Sequence, residues 1–373
     1  MKPEDIEGFV IIGGGFAGLA NAYMIEDSLL FEEHNIVGYP PHCTGIVSSR
    51  FVKILGSIAV ENIMNIYKGI KVLDLNGSEI LNLRFTDRIY RLDRINLERV
   101  LLKEAIDRGS RVELGSKILS LEEGENNEIC LVIDRKNTLF RRCLKNHVAI
   151  ISDGVNGIIS KKIIGNEKRD LLLGIQGLVP IKRYDMADID EILVFIDDKL
   201  FPGFFGWIVP VSEKRAIAGA GFSLKTSTSI FFRYFLYRLK KIGVVEEARA
   251  ASLYGGIIVR SFIKRNIMKR YIIAGDAAGL TKPFTGGGLY TSLYQALSIR
   301  NSIDRDIDRF RESYENNMKG ILSELYFQRM ATKIAERLGV ENILRKYVER
   351  YLGRTLYIDY DYHSSVLRRI ISR

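Results

Sequence analysis

Cysteine is scarce in this chain, with three residues, Cys43, Cys130 and Cys143, among 373. So few, so scattered, suit neither a disulfide framework nor a zinc site, and the expectation is a protein of a reducing cytoplasm. Also missing is any run of about 18 apolar residues, which argues against a membrane-spanning helix. The opening, MKPEDIEGFVIIGGG, lacks the basic head and apolar middle of a signal peptide. No internal repeat or nucleic-acid recognition motif stands out, so nucleic acid is not an expected partner. The excess of 55 Lys/Arg over 45 Asp/Glu nevertheless favours anionic partners. Part of that excess is local: Arg329 to Arg373 holds ten Lys/Arg against five Asp/Glu, interleaved with Tyr, Leu and Ile at helical spacing. Such a tail is either a solvated face or a contact with a membrane surface or partner.

Two glycine-rich stretches organise the rest. In FVIIGGGFAGLANAYMIEDSLLFEEH, Gly13, Gly15 and Gly18 follow a predicted strand (Gly8–Ile12) and open a predicted helix (Gly15–Ile25). Glycine suits each position: a tight turn, backbone approach to a pyrophosphate, and close packing of helix on strand. Ala17 shares this turn, and the helix N-terminus offers unpaired N–H groups to phosphate. Glu32 ends the next strand, placed to accept hydrogen bonds from a ribose; Glu33 is a substitute, because only thirteen residues separate Gly18 from Glu32. The second stretch is YIIAGDAAGLTKPFTGGGLYTSLYQALSIRNSI, where a strand delivers Asp276 into a loop and Gly286 to Gly288 open a helix.

This second stretch resembles the flavoprotein group of aromatic-ring hydroxylases and geranylgeranyl reductases. The resemblance implies FAD, with Asp276 on the ribityl–pyrophosphate portion and Gly287, Gly288 and Leu289 presenting backbone N–H groups to the flavin. It also implies an Arg-led helix contact at Arg94 in RLDRINLERVL and a backbone clamp on adenine near Ile118. IISDGVNGIIS resembles a further segment of the group, with Ser152 where alanine is common.

Leu200 to Pro210, LFPGFFGWIVP, carries no charge and holds the only tryptophan. Its Pro202-x-x-Phe205-x-Trp207-x-Val209-Pro210 spacing resembles a geranylgeranyl reductase signature in which tyrosine and phenylalanine stand at positions 205 and 209. Strand alternation places Phe205 and Trp207 on one face as a substrate wall, and the prolines suggest an edge strand or a bend. GYPPHCTGIVSSR resembles the cysteine loop of the same reductases, which implies Cys43 as a catalytic residue at the flavin and backbone contacts from Thr44 and Ile46.

The expected architecture is α/β and two-lobed. A Rossmann-like FAD-binding domain of the aromatic hydroxylase/glutathione reductase type takes residues 1–55, 87–162 and 265–308. An inserted β-sheet substrate domain takes 56–86 and 163–264, and a helical C-terminus takes 309–373. The implied activity is FAD-dependent saturation of C=C bonds in isoprenoid lipid chains, with ferredoxin or NAD(P)H as electron donor. The implied location is cytoplasmic, with possible peripheral contact with the membrane. Alternatives are an aromatic-ring monooxygenase, a prenyl-quinone reductase, or a prenyl-lipid carrier retaining FAD.

Overall fold

The apolar run Phe9–Ile12 is buried on both faces, as a central parallel strand requires. The computed structural model describes residues 5–41, 43–165, 167–181, 188–263, 265–351 and 356–364. Gly8–Ile12 pairs in parallel with Leu29–Phe31 and His147–Ile151. Arg111–Glu113 and Tyr271–Ile273 extend the parallel sheet on either side, and Ile267–Met268 adds an antiparallel edge. The helices Phe16–Ile25, Arg94–Asp107 and Leu289–Ser302 pack with this sheet around one apolar core. Leu97, Leu101 and Ala105, spaced four residues apart along Arg94–Asp107, have no solvent exposure.

A three-stranded meander, Ser116–Glu123, Glu128–Arg135 and Thr138–Lys145, lies beside this lobe. It overturns the expectation from cysteine count. Cys130 and Cys143 are directly opposed across two antiparallel strands and form a disulfide. Strand register brings together residues that look scattered in sequence.

The second lobe is a nine-stranded sheet. Its order is Ala251–Val259, Leu171–Pro180, Arg215–Ser223, Gly206–Ser212, Glu191–Ile196, Ile63–Asp74, Glu79–Leu92 and Leu356–Ile358, with Ile46–Ser48 also paired to Glu79–Leu92. Gly206–Ser212 is therefore an interior strand, so that of the edge or bend suggested by its prolines the edge is excluded. Pro210 is accommodated because pairing to Glu191–Ile196 reaches only Ile208, and the other neighbour is irregular between Pro210 and Ser212. Tyr67 Oη then donates to the Pro210 carbonyl at 2.5 Å.

The C-terminal region is mostly the long helix Ile307–Leu338 and the helix Val340–Tyr351. It also returns a strand, Leu356–Ile358, in parallel to Glu79–Leu92. Among the described residues, no helix is long and apolar enough to cross a membrane.

Candidate active site

The first glycine turn is built by contacts that exclude side chains. A Cβ on Gly18 would lie 1.8 Å from the Gly13 carbonyl oxygen, and one on Gly13, at φ +99°, would lie 2.4 Å from the Ser152 carbonyl oxygen. Ser152 Oγ donates toward the Ile12 and Gly13 carbonyls, both at 2.9 Å, and so ties this turn to the neighbouring strand. Gly15 differs: among the described residues a Cβ there would meet nothing within 4 Å, and no side chain caps the helix it begins. That uncapped N-terminus facing open space is the cradle a phosphate needs. Glu32 is buried, its Oε2 accepting from Gly14 N at 2.5 Å and its Oε1 from His34 N at 2.8 Å. Glu33 instead turns outward to Lys117 at 2.8 Å, so Glu32 is the acid against the turn.

The two glycine stretches meet. A Cβ on Gly275 would stand 2.6 Å from the Ala17 Cβ. Asp276 is exposed between buried Gly275 and Ala277, while its Oδ1 lies 3.3 Å from a Cβ built on Gly288. Leu289 starts the following helix, again with no side-chain cap at Gly288. Two uncapped helix starts, one buried acid and one exposed acid thus converge, and these residues fit FAD. Ile118 lies farther out in the meander, buried beside a bulge that interrupts its pairing with Glu128–Arg135.

Arg94 and Cys43 come together. The Arg94 guanidinium pairs with Glu98 one helical turn away and lies near enough to the Cys43 sulfur to be influenced by it. Burial opposes its charge, but Glu98 and Cys43 hold it firmly protonated. Burial also raises the Glu98 carboxyl against the opposing pull of Arg94. Cys43 is a free thiol accepting from Gly45 N at 3.3 Å. The neighbouring His42 lies outside the described residues.

The apolar strip follows alternation only in part, since Val209, two residues beyond Trp207, is buried and the Phe205 ring stacks on Phe204 at 4.4 Å. Phe201, Phe204 and Ile208 are core, whereas Phe205 and Trp207 are half-buried with rings edge-to-face at 6.0 Å. Trp207 lies over Gly219, where a Cβ would come within 2.4 Å of the indole. Phe204 reaches 3.3 Å from a Cβ built on Gly286, so the strip abuts the second glycine turn.

Two further groups complete the site without any sequence motif. Gln176, buried in Leu171–Pro180, accepts from Thr44 Oγ1 at 2.8 Å and from Trp207 Nε1 at 3.3 Å, joining the cysteine loop to the strip. Its sequence signal is a lone polar residue inside LLLGIQGLVP. The second group is the C-terminal segment after Leu356–Ile358. Buried Lys282, beside Gly287, donates to the Tyr360 carbonyl at 2.8 Å and pairs with buried Asp361 at 3.2 Å. Its Nζ also lies 3.8 Å from the centre of the Tyr360 ring, which shares an apolar cluster with Trp207 and Ile46. Burial, then Asp361, then the Cys43 sulfur keep the Tyr360 phenol protonated. Arg50 clasps Asp359 through two bonds at 2.8 and 2.7 Å.

The architecture is the FAD-binding Rossmann-like fold of flavin-dependent oxidoreductases, joined to a β-sheet lobe and a helical C-terminus. The chain is a homologue of archaeal digeranylgeranylglycerophospholipid reductases. Digeranylgeranylglycerophospholipid reductase 2 of Methanopyrus kandleri is 24% identical over 380 residues, covering 90% of this chain and 91% of that one. Among solved structures, a geranylgeranyl bacteriochlorophyll reductase-like protein from Thermoplasma acidophilum superposes with a TM-score of 0.82 at 18% identity, over 98% of this chain and 96% of that one. The p-nitrophenol 4-monooxygenase PnpA of Pseudomonas putida shares the fold with a TM-score of 0.71 at 14% identity, over 92% and 94%. No family model matches the chain.

Proposed function

We propose that this protein is an FAD-dependent reductase that saturates C=C bonds in isoprenoid lipid chains. The observation that carries the reading is the Thr44–Gln176–Trp207 bridge, which fastens a cysteine loop to an apolar wall adjoining the second glycine turn. Gly13, Gly15, Ala17, Gly18 and Glu32 hold the adenosine and pyrophosphate portion, with Arg94 and Ile118 on the same half. Asp276, Gly287, Gly288 and Leu289 hold the ribityl and ring portion. FAD, when bound, supplies the hydride equivalent. Phe205 and Trp207 line the substrate side, where an alkene chain without polar handles is positioned only by shape and apolar contact. Their π faces favour positive charge developing on a tertiary carbon. Cys43, with Thr44 beside it and Ile46 opening the strand that follows, holds the proton destined for the other alkene carbon.

Phe205 stands where the reductase signature has tyrosine, so no phenol is available at that position. The Tyr360 phenol, in the same apolar cluster as Trp207, restores a polar group to this wall. The electron donor is ferredoxin or NAD(P)H, and the lipid substrate brings the protein to a membrane surface.

Anaerobic photoreduction of the FAD-loaded protein, followed by a geranylgeranyl lipid, tests the reading. Bleached flavin should regain its yellow absorbance while mass spectrometry finds lipid heavier by two hydrogens per bond reduced. Reoxidation by O₂ alone would favour a monooxygenase; lipid bound but unsaturated would favour a carrier.

A further inference from the structure

The helix Thr228–Lys241, TSIFFRYFLYRLKK, carries two faces of unlike chemistry. Its inner face, Phe232, Phe235, Leu236 and Leu239, is buried in the core of the β-sheet lobe. Phe235 meets Phe201 of the apolar strip edge-to-face at 5.2 Å, and a Cβ on Gly206 would lie 2.6 Å from the Phe235 ring. The helix therefore backs the strand that carries Trp207.

Its outer face is not an ordinary solvated one. Ile230, Tyr234 and Tyr237 follow one another at i, i+4 and i+7 with 56%, 46% and 47% exposure. Exposed Arg233, Lys240 and Lys241 stand among them, and none of the fourteen residues is acidic. Leu224 and Lys225, just before the helix, are exposed as well. A fourth cation, Arg238, is committed within the protein, to the Leu75 carbonyl at 3.0 Å and Asn76 Oδ1 at 2.6 Å. Lys241 Nζ lies over the Tyr237 ring, 5.5 Å from its centre, and both residues remain exposed.

We propose that this outer face docks on the surface of an anionic lipid bilayer, with Ile230, Tyr234 and Tyr237 in the interfacial layer and the three cations among the headgroups. Tyrosine beside lysine and arginine is the chemistry of that boundary. A second copy of the chain would set like charges against like across a two-fold axis, which charge complementarity disfavours. In the C-terminal region, by contrast, Arg329 and Arg345 are paired with Asp170 at 2.5 Å and Asp74 at 2.9 Å, and acidic Glu336 stands exposed beside Lys333 and Arg337. The surface does not depend on the redox reading, and its test needs neither flavin nor substrate.

Full-length protein is sedimented with vesicles of phosphatidylcholine alone or with added phosphatidylglycerol. Wild type should bind the anionic vesicles, less so as salt rises, and leave the neutral ones. The triple variant Arg233→Gln/Lys240→Gln/Lys241→Gln should lose on the order of a hundredfold in affinity, from roughly fivefold per cation. Ile230→Ser/Tyr234→Ser/Tyr237→Ser should also bind more weakly, with unchanged melting. Hydroxyl-radical footprinting of the unaltered protein gives a reading independent of variant folding: Tyr234 and Tyr237 should be protected by anionic vesicles. Absence of wild-type binding, undiminished binding by either variant, or unprotected tyrosines would overturn the proposal. So would a dimer that either variant dissociates, which would assign the face to a second copy.

Discussion

Trp207 Nε1 donates to Gln176 Oε1 at 3.3 Å, and the same oxygen accepts from Thr44 Oγ1 at 2.8 Å. One buried amide thus fixes both the wall and the loop that faces it. Gln176→Leu leaves the indole N–H and the hydroxyl without this acceptor and should cost about 1–3 kcal/mol. Because Trp207 is the only tryptophan, its fluorescence reports the change directly. An altered emission maximum and a lower melting temperature are expected; identical emission and melting would contradict the bridge.

Gly15 and Gly18 should respond differently to alanine. Gly18→Ala forces a Cβ onto the Gly13 carbonyl and should destabilise the fold by several kcal/mol. Gly15→Ala meets no atom of the described residues, so melting of the FAD-free protein should be almost unchanged. Its Cβ would occupy the phosphate's approach, and flavin affinity should fall about tenfold, or ~1.4 kcal/mol. Equal flavin affinity in Gly15→Ala and wild type would remove the phosphate from this turn.

Lys282 and Asp361 form a buried pair between the second glycine turn and the C-terminal segment. Lys282→Met leaves the buried carboxylate with only its longer contact to Arg50, at 3.7 Å, and should cost about 3 kcal/mol, whereas Lys282→Met/Asp361→Leu should recover much of the loss. Chemical denaturation of the three proteins measures the difference. Additive losses in the double variant would contradict a coupled pair.

His363 is buried against Phe284, its Nδ1 without a partner among the described residues. Burial first, then the nearby Lys282 charge, lower its imidazole from 6.5 to about 3. Above pH 6.5 the ring is neutral in both folded and unfolded chains, and its contribution to stability is intact. Below that, the unfolded chain takes up a proton that the native state refuses until about pH 3, so stability falls across this window. The slope contributed is at most about 1.4 kcal/mol per pH unit. Melting curves at pH 6.5 and pH 5 should therefore differ more for wild type than for His363→Phe; parallel slopes would exclude the histidine.

The readable parts of the sequence were those governed by local rules. Glycine spacing marks both turns, and strand alternation separates Phe205 and Trp207 from Phe204 and Ile208 beside them. The parts that escaped depend on which strands become neighbours. The Cys130–Cys143 disulfide needs the meander's register, and the interior position of Pro210 needs the irregular pairing around it. Gln176, Lys282 and Asp361 acquire partners 31 to 132 residues away, which no local pattern encodes. Of the two acids after the second strand, only the fold shows that Glu32 turns inward and Glu33 outward.

The most direct test is the absorption spectrum of the purified protein after incubation with FAD and removal of the excess. The paired glycine turns predict a yellow protein with one FAD per chain, released intact on denaturation, and a marked loss of retention in Asp276→Ala. A colourless protein that takes up no flavin would contradict the account at its base.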